Sequence, residues 1–233
     1  MRFTQKNYDK FWDQSYKNLD NFLFYPNEEV VRFVSKYIYK RKILKVKQKN
    51  KTFLDIGCGS GRNVKFLIEN GFKCIGLDHS KIAIKYSKKF LKFNKLKKNR
   101  FKLISSNSTN IPLKKDSIDY IIADACIDSM SQTESLKTIK EAFRVLKKGG
   151  LFYVNLIDLS IFNRMHKGKF ITKYDFKISS KHEKNTIQSF FNEKRINELF
   201  KNFRTIELYK IIKKKKNKIV NSRYHLILKK FDD

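Results

Sequence analysis

The chain has 233 residues, 41% of them hydrophobic, and 53 Lys and Arg against 22 Asp and Glu give it a formal net charge of +31. That length suits one α/β core with a modest appendage, no apolar run approaches the roughly 18 residues of a membrane span, and the polar start Met1-Arg2-Phe3-Thr4-Gln5-Lys6-Asn7, with no apolar stretch after it, leads us to expect no signal peptide. The expectation is a single-domain, soluble, cytoplasmic protein, and its three cysteines, Cys58, Cys74 and Cys126, lack any metal-ligand spacing.

Such a charge by itself suggests a nucleic acid or an anionic membrane as partner. Only ten of the 53 basic residues are Arg, however, and the Lys are spread through every segment. Arg is the better bidentate phosphate ligand, so a solvated, compositionally biased surface explains the charge more simply.

In chain order, Val30, Val31, Val34, Tyr37 and Ile38 recur at helical spacing after Pro26-Asn27, which predicts an amphipathic helix over 27–44. A strand at 53–56 follows, then a helix at 61–69 closed by Asn70-Gly71, a strand at 73–77, and a helix from the cap Ser80 to about residue 93. Next come a short strand at 101–104, a loop with Pro112, and an apolar strand at 118–123. A helix from Thr133 carries Leu136, Ile139, Phe143 and Leu146 on one face, with Gly149-Gly150 expected to end it before a strand at 151–156. Each parallel strand needs a crossover helix, so this alternation predicts a doubly wound, mostly parallel sheet. A helix near 193–200 and an antiparallel pair, 204–212 with 224–228, close the chain, and the Lys213–Lys216 run falls in the solvated hairpin. The organisation read from this is an N-terminal lid and helix over 1–45, a core over 50–160, and an insertion with terminal hairpin over 160–233.

The chemically informative stretch runs from Phe53 to Asn63, an apolar strand entering a turn with glycine at 57, 59 and 61 and then a helix. Glycines let a backbone turn tightly against a ligand, and the helix N-terminus offers free N–H groups. The spacing is G-x-G-x-G rather than the G-x-G-x-x-G of dinucleotide enzymes, and an acid, Asp55, precedes it. Asp55 would repel a pyrophosphate but can hold a cationic amino group, directly or through a water. Asp78 ends the second strand, where a carboxylate accepts from both hydroxyls of a ribose. The pair describes a nucleoside linked to an amino acid.

On these residues the chain resembles the class I S-adenosylmethionine-dependent methyltransferases, whose motif D-x-G-C-G-x-G is matched by Asp55 to Gly61; the resemblance covers about residues 50 to 160. It implies a Rossmann-like fold and S-adenosylmethionine as cofactor, converted to S-adenosylhomocysteine. It places Gly57, Cys58, Gly59 and Gly61 against the cofactor, Asp78 on its ribose and His79 beside its adenine. Ile104 to Pro112 is similar to the third motif, with Asn107 where an Asp is usual and Ser108 beside it; Ile118 to Asp124 resembles the fourth, which puts Asp124 near the methionine part. Glu141 to Leu156 is similar to the fifth. The run Tyr8 to Tyr16 resembles the aromatic lid of small-molecule methyltransferases, with Trp12 over the cofactor, although Trp12 and Tyr16 serve equally well as core anchors. Gly61-Arg62-Asn63 is similar to the tellurite-resistance branch.

Methyl transfer from a sulfonium needs a base only when the nucleophile has a proton to lose. Asp128, in the loop past Asp124, is the candidate, with helix capping or plain solvation as its alternative reading. His182, in the polar insertion, and His225 are weaker candidates. The acceptor expected is a small molecule methylated on O, N or S. The alternatives are an RNA or protein acceptor using the basic surface and a cofactor-binding protein without transfer. The motifs leave the oligomeric state open, and no metal is expected.

Overall fold

The computed structural model describes residues 5–39, 50–162, 167–179 and 186–231. It begins with α1 (Gln5–Lys17) and α2 (Glu28–Phe33), the latter continued by a π-helical turn over Val34–Tyr39. The core then alternates β1 (Thr52–Ile56), α3 (Arg62–Glu69), β2 (Lys73–Asp78), α4 (Lys81–Phe93), β3 (Phe101–Ser105), β4 (Ile118–Ala123), α5 (Gln132–Val145) and β5 (Leu146–Ile157). Three short strands follow, β6 (Gly168–Phe170), β7 (Asp175–Ile178) and β8 (Ile187–Ser189), then α6 (Glu193–Leu199), β9 (Phe203–Lys215) and β10 (Lys218–Lys230).

Helix starts follow local capping chemistry. The Asn27 side chain accepts from the Glu29 amide, Ser80 accepts from Ala83, and Ser131 with Glu134 forms a reciprocal capping box at α5. The main sheet has seven strands in the order β3-β2-β1-β4-β5-β10-β9. The first five are parallel, and β10 runs antiparallel to both neighbours. The chain winds outward from β1 to β3 and returns to β4, so its direction reverses between β1 and β4. At such a switch point the loops diverge and leave a crevice at the carboxyl ends of the strands.

Both sheet faces are covered. Leu54, Ile56, Ile121 and Phe152 pack with Ile139 of α5 and Phe200 after α6 on one side. Phe53, Ile122 and Tyr153 pack with Val30, Phe33, Val64, Leu67 and Leu91 of α2 to α4 on the other. The doubly wound sheet and the terminal antiparallel pair match the expectation.

Several boundaries differ. Gly149-Gly150 does not end a helix: α5 stops at Val145, β5 starts at Leu146, and Gly149 takes φ 73° where the register shifts between the Ile118 and Tyr120 pairings. The glycines serve an irregularity inside a strand. Leu136 is exposed, because α5 lies on the sheet through Ser135, Thr138, Ile139, Ala142 and Val145, whose mostly small side chains allow close approach. The insertion contains a three-stranded antiparallel sheet, β6-β7-β8, that periodicity does not reveal. Its strands are three or four residues long, too short for a pattern. The helix expected over 27–44 is seen to Tyr39, and His182 lies outside the described residues.

Candidate functional site

The crevice is built first from backbone. The amides of Gly57 and Cys58 both donate to the Leu77 carbonyl, at 2.8 and 3.0 Å, which folds the glycine turn over the end of β2. Gly57, Gly59 and Gly61 all have positive φ, a region open to glycine at little cost. A Cβ on Gly57 would sit 2.6 Å from Cys126 Sγ, and one on Gly59 would sit 2.5 Å from the Tyr16 hydroxyl. The turn is therefore clamped between the loop after β4 and α1. Gly61 has a different neighbour: its Cβ would meet Ser87 Oγ at 2.4 Å, so this glycine lets α3 pack on α4.

Asp78 lies buried at the strand end. Its Oδ2 accepts from the Gly59 amide and its Oδ1 from the Ser80 amide, each at 2.9 Å. Burial pushes this carboxyl up from its ordinary range, while His79 and the two amide donors draw it back. Ser80 Oγ donates to Asp13, which ties α1 to the start of α4.

Two adjoining cavities open here, both partly open to solvent. Trp12, Gly57, Asp78, His79, Asn107 and Ser108 line the first, together with Tyr16, Cys126 and Glu134. Cys58, Gly59, Asp124 and Asp128 line the second with Arg62, Asn63, Gln188 and Arg223, and Trp12, Tyr16 and Gly57 are common to both. Asp55 and Gly61 line neither. Asp55 is fully buried beneath the turn, where burial pushes its carboxyl up to about 8. Its Oδ1 accepts from Asn63 Nδ2 at 3.5 Å, while its Oδ2 and Asn63 Oδ1 have no hydrogen-bond partner. Buried polar atoms normally find partners, so this pair, with Asn63 in the cavity wall, fits a ligand ammonium: Asn63 supplies the contact, and the ligand's charge would draw the Asp55 carboxyl behind it back toward its ionised form.

At the far end, two Arg–Asp pairs face each other across the second cavity. Arg62 Nη2 lies 2.7 Å from Asp124 Oδ2, and Asp124 Oδ1 accepts from Asn155 Nδ2 at 2.6 Å and from Asn27 at 3.3 Å. Arg223 Nη2 donates to Asp128 Oδ2, which also accepts from the Ile157 amide at 3.1 Å. The second oxygen of Asp128 has no partner. Burial pushes the Asp128 carboxyl up, and the Arg223 guanidinium opposes that shift. Asp128 sits in a short 3-10 turn rather than capping a helix, and the insertion braces it: Gln188 Nε2 donates to the Asp128 carbonyl, and Ser189 Oγ donates to that of Met130 at 2.7 Å.

His225 lines a third cavity beyond Arg62 and Asp124. Its Nδ1 is 2.9 Å from the Tyr153 hydroxyl, its ring stacks on Tyr209, and burial lowers its pKa to about 4, so it is neutral near pH 7. Sequence reasoning missed Arg223, Gln188 and Asn155. Arg223 meets Asp128 across 95 residues and Gln188 does so across 60, and no local pattern marks either. Asn63 was within reach, as the second residue of the helix after the turn.

Comparison with known proteins agrees with this geometry. Residues 47–221 match the methyltransferase-domain family. An uncharacterised protein of Methanocaldococcus jannaschii is 28% identical over 171 residues, covering 70% of this chain and 67% of that one. The fold is similar to that of a SAM-dependent methyltransferase from Methanosarcina mazei, with a TM-score of 0.68 at 21% identity, over 84% of this chain and 99% of that one. It is similar also to the 1,6-didemethyltoxoflavin-N1-methyltransferase of Burkholderia thailandensis, solved with 1,6-didemethyltoxoflavin and S-adenosylhomocysteine bound. There the TM-score is 0.66 at 12% identity, over 100% of this chain and 92% of that one.

Proposed function

We propose that this chain, which belongs to the methyltransferase-domain family and is an S-adenosylmethionine-dependent methyltransferase, transfers the methyl group to O, N or S of a small polar molecule. When bound, the cofactor supplies an electrophilic methyl on a sulfonium. Asp78 accepts from the ribose hydroxyls with the lone pairs that its two amide donors leave free. His79, Asn107 and Ser108 border the adenine, and Asn63 backed by Asp55 receives the amino group. Trp12 and Tyr16 of α1 close over the turn; their aromatic rings suit a cation and exclude water.

Asp128 is the proposed base. The observation that supports this is its unpartnered Oδ1 on a buried carboxylate in the wall of the second cavity, held by Arg223 and the Ile157 amide through the other oxygen. Arg223 favours the ionised form, which can take a proton from an acceptor O–H, N–H or S–H. Support for a small acceptor comes from the walls: α1, the glycine turn, β8 and β10 each contribute side chains around the second cavity. The toxoflavin enzyme, which binds a small molecule, aligns with the whole of this chain.

Calorimetric titration with S-adenosylhomocysteine, with NAD as control, tests the cofactor half. Screening metabolites, RNA and protein for acceptor-dependent formation of S-adenosylhomocysteine tests the other. Turnover with a metabolite, lost in Asp128→Asn with cofactor binding retained, is the expected result. Turnover only with RNA or protein would overturn the small-molecule reading.

A further inference from the structure

Between α1 and α2 the chain leaves four apolar side chains in solvent: Leu19, Leu23, Phe24 and Tyr25 are 58, 49, 57 and 81% exposed. Folding normally hides such a cluster, and a contiguous exposed apolar surface marks an interaction site. The segment is tied to the rim of the methyl-transfer cleft. The Leu23 carbonyl accepts from Ser60 Oγ at 3.0 Å, the Tyr25 carbonyl accepts from Arg62 Nη1 at 3.4 Å, and Leu23 itself lines the second cavity.

The apolar surface continues onto α4. Phe22 and Phe24 pack edge-on against Phe90 at 6.0 and 5.9 Å, and Phe22 does so against Tyr86 at 5.9 Å. Tyr86, Phe90 and Phe93 are spaced four and three residues apart, which puts them on one helical stripe, and Phe93 is 86% exposed. Along α4 and the turn after it the charge has one sign: residues 81–100 hold eight Lys and Arg100 with no Asp or Glu, and Asp20 is the one acid in the 18–25 segment beside them. Every one of those Lys is exposed.

We propose that this face docks on an anionic phospholipid surface. Exposed apolar side chains enter the boundary between headgroups and acyl chains while the surrounding Lys are drawn to the anionic headgroups. Docking in this way sets the rim of the cleft against the bilayer. No helix among the described residues is long and apolar enough to cross a membrane, so the contact is peripheral. A nucleic acid could stack on Phe24, Tyr25 and Phe93 but fits the face less well, since the cations around them are almost all Lys and Leu19 and Leu23 suit a lipid boundary rather than a base. A second copy would bring two like-charged faces together across a symmetric contact.

The terminal hairpin supplies the internal control. Lys213 to Lys216 and Lys218 are as dense and as exposed, but they flank no aromatic cluster. Co-sedimentation of the full chain with phosphatidylcholine vesicles, with and without phosphatidylserine, tests the docking. Binding is expected only with phosphatidylserine, and it should fall about tenfold or more both in Phe24→Ser/Tyr25→Ser and in Lys85→Gln/Lys88→Gln/Lys89→Gln/Lys92→Gln. All these side chains are exposed, and thermal melting confirms that the variants fold. A Gln substitution of Lys213, Lys214, Lys215 and Lys216 together should leave binding nearly intact. Absence of binding to phosphatidylserine vesicles overturns the proposal, as does equal loss in the hairpin variant, which would reduce the effect to overall charge. Unchanged binding in Phe24→Ser/Tyr25→Ser also overturns it, as does a stable oligomer of the wild-type chain that this variant dissolves.

Discussion

Around the glycine turn, neighbours in sequence make the site. Asp55, Gly57, Gly59 and Asn63 come from one strand–turn–helix passage, Asp78 and Ser80 from the next strand end, and much of the binding surface is backbone. Around Arg223 the wall is made mainly of side chains from distant segments, which the sheet order brings together: β10 inserts beside β5, so Arg223 reaches Asp128 and Asn155. Under the proposed function, the cofactor is read by local geometry and the acceptor by long-range packing. The two halves should respond separately to substitution.

The largest effect is expected at Gly57. An alanine there carries left-handed backbone strain of about 1–2 kcal/mol and puts its Cβ into Cys126. S-adenosylhomocysteine affinity should fall about 100-fold or more by calorimetry, since the turn must move. Asp78→Ala comes next: two hydrogen bonds to a charged group, worth roughly 1.5 kcal/mol each or more, should cost the same ligand at least about 100-fold. The Gly59 and Ser80 amides lose their acceptor too, so the melting temperature should fall.

Arg223→Met probes the other half. It leaves Asp128 buried without its cation, at a stability cost of about 3 kcal/mol in denaturant unfolding, yet cofactor affinity should change by no more than about threefold. Once an acceptor is known, the rising, acid-side limb of the pH profile should move to higher pH in this variant, because the influence that lowers the Asp128 pKa is gone.

Two smaller effects come from buried groups that titrate. Asp55, raised to about 8, is harder to ionise in the folded state, so its contribution to stability declines as pH rises from about 4 to 8. Asp55→Asn should therefore melt higher than wild type at pH 8 while binding S-adenosylhomocysteine more weakly. His225, lowered to about 4, contributes stability that is present above its unfolded pKa of about 6.5 and is lost as pH falls toward 4. His225→Gln should flatten the acid side of the melting-temperature profile.

The same contrast explains what could be read in advance. The strands at 53–56, 73–77 and 118–123 were legible because a buried parallel strand is a short apolar run between turn residues. Asp78 was singled out as the acid that ends its strand, and His79, Asn107, Ser108 and Asp124 through the family resemblance; all five line the crevice, at or past strand ends. Asp55 was identified by position, but only the structure shows that it lies beneath the wall and that Asn63 forms the surface. The β6-β7-β8 sheet and the reach of Gln188 and Arg223 were not legible, since they rest on tertiary pairing. Gly149-Gly150 misled for a physical reason: glycine serves a helix stop and a strand irregularity equally well.

Titration of wild type, Asp78→Ala, Asp128→Asn and Arg223→Met with S-adenosylhomocysteine under one set of conditions tests most directly whether the cleft has two separable halves. Asp78→Ala should lose at least about 100-fold in affinity while the other two stay within about threefold of wild type. A comparable loss in all three would contradict that division and make the acceptor wall part of the cofactor site.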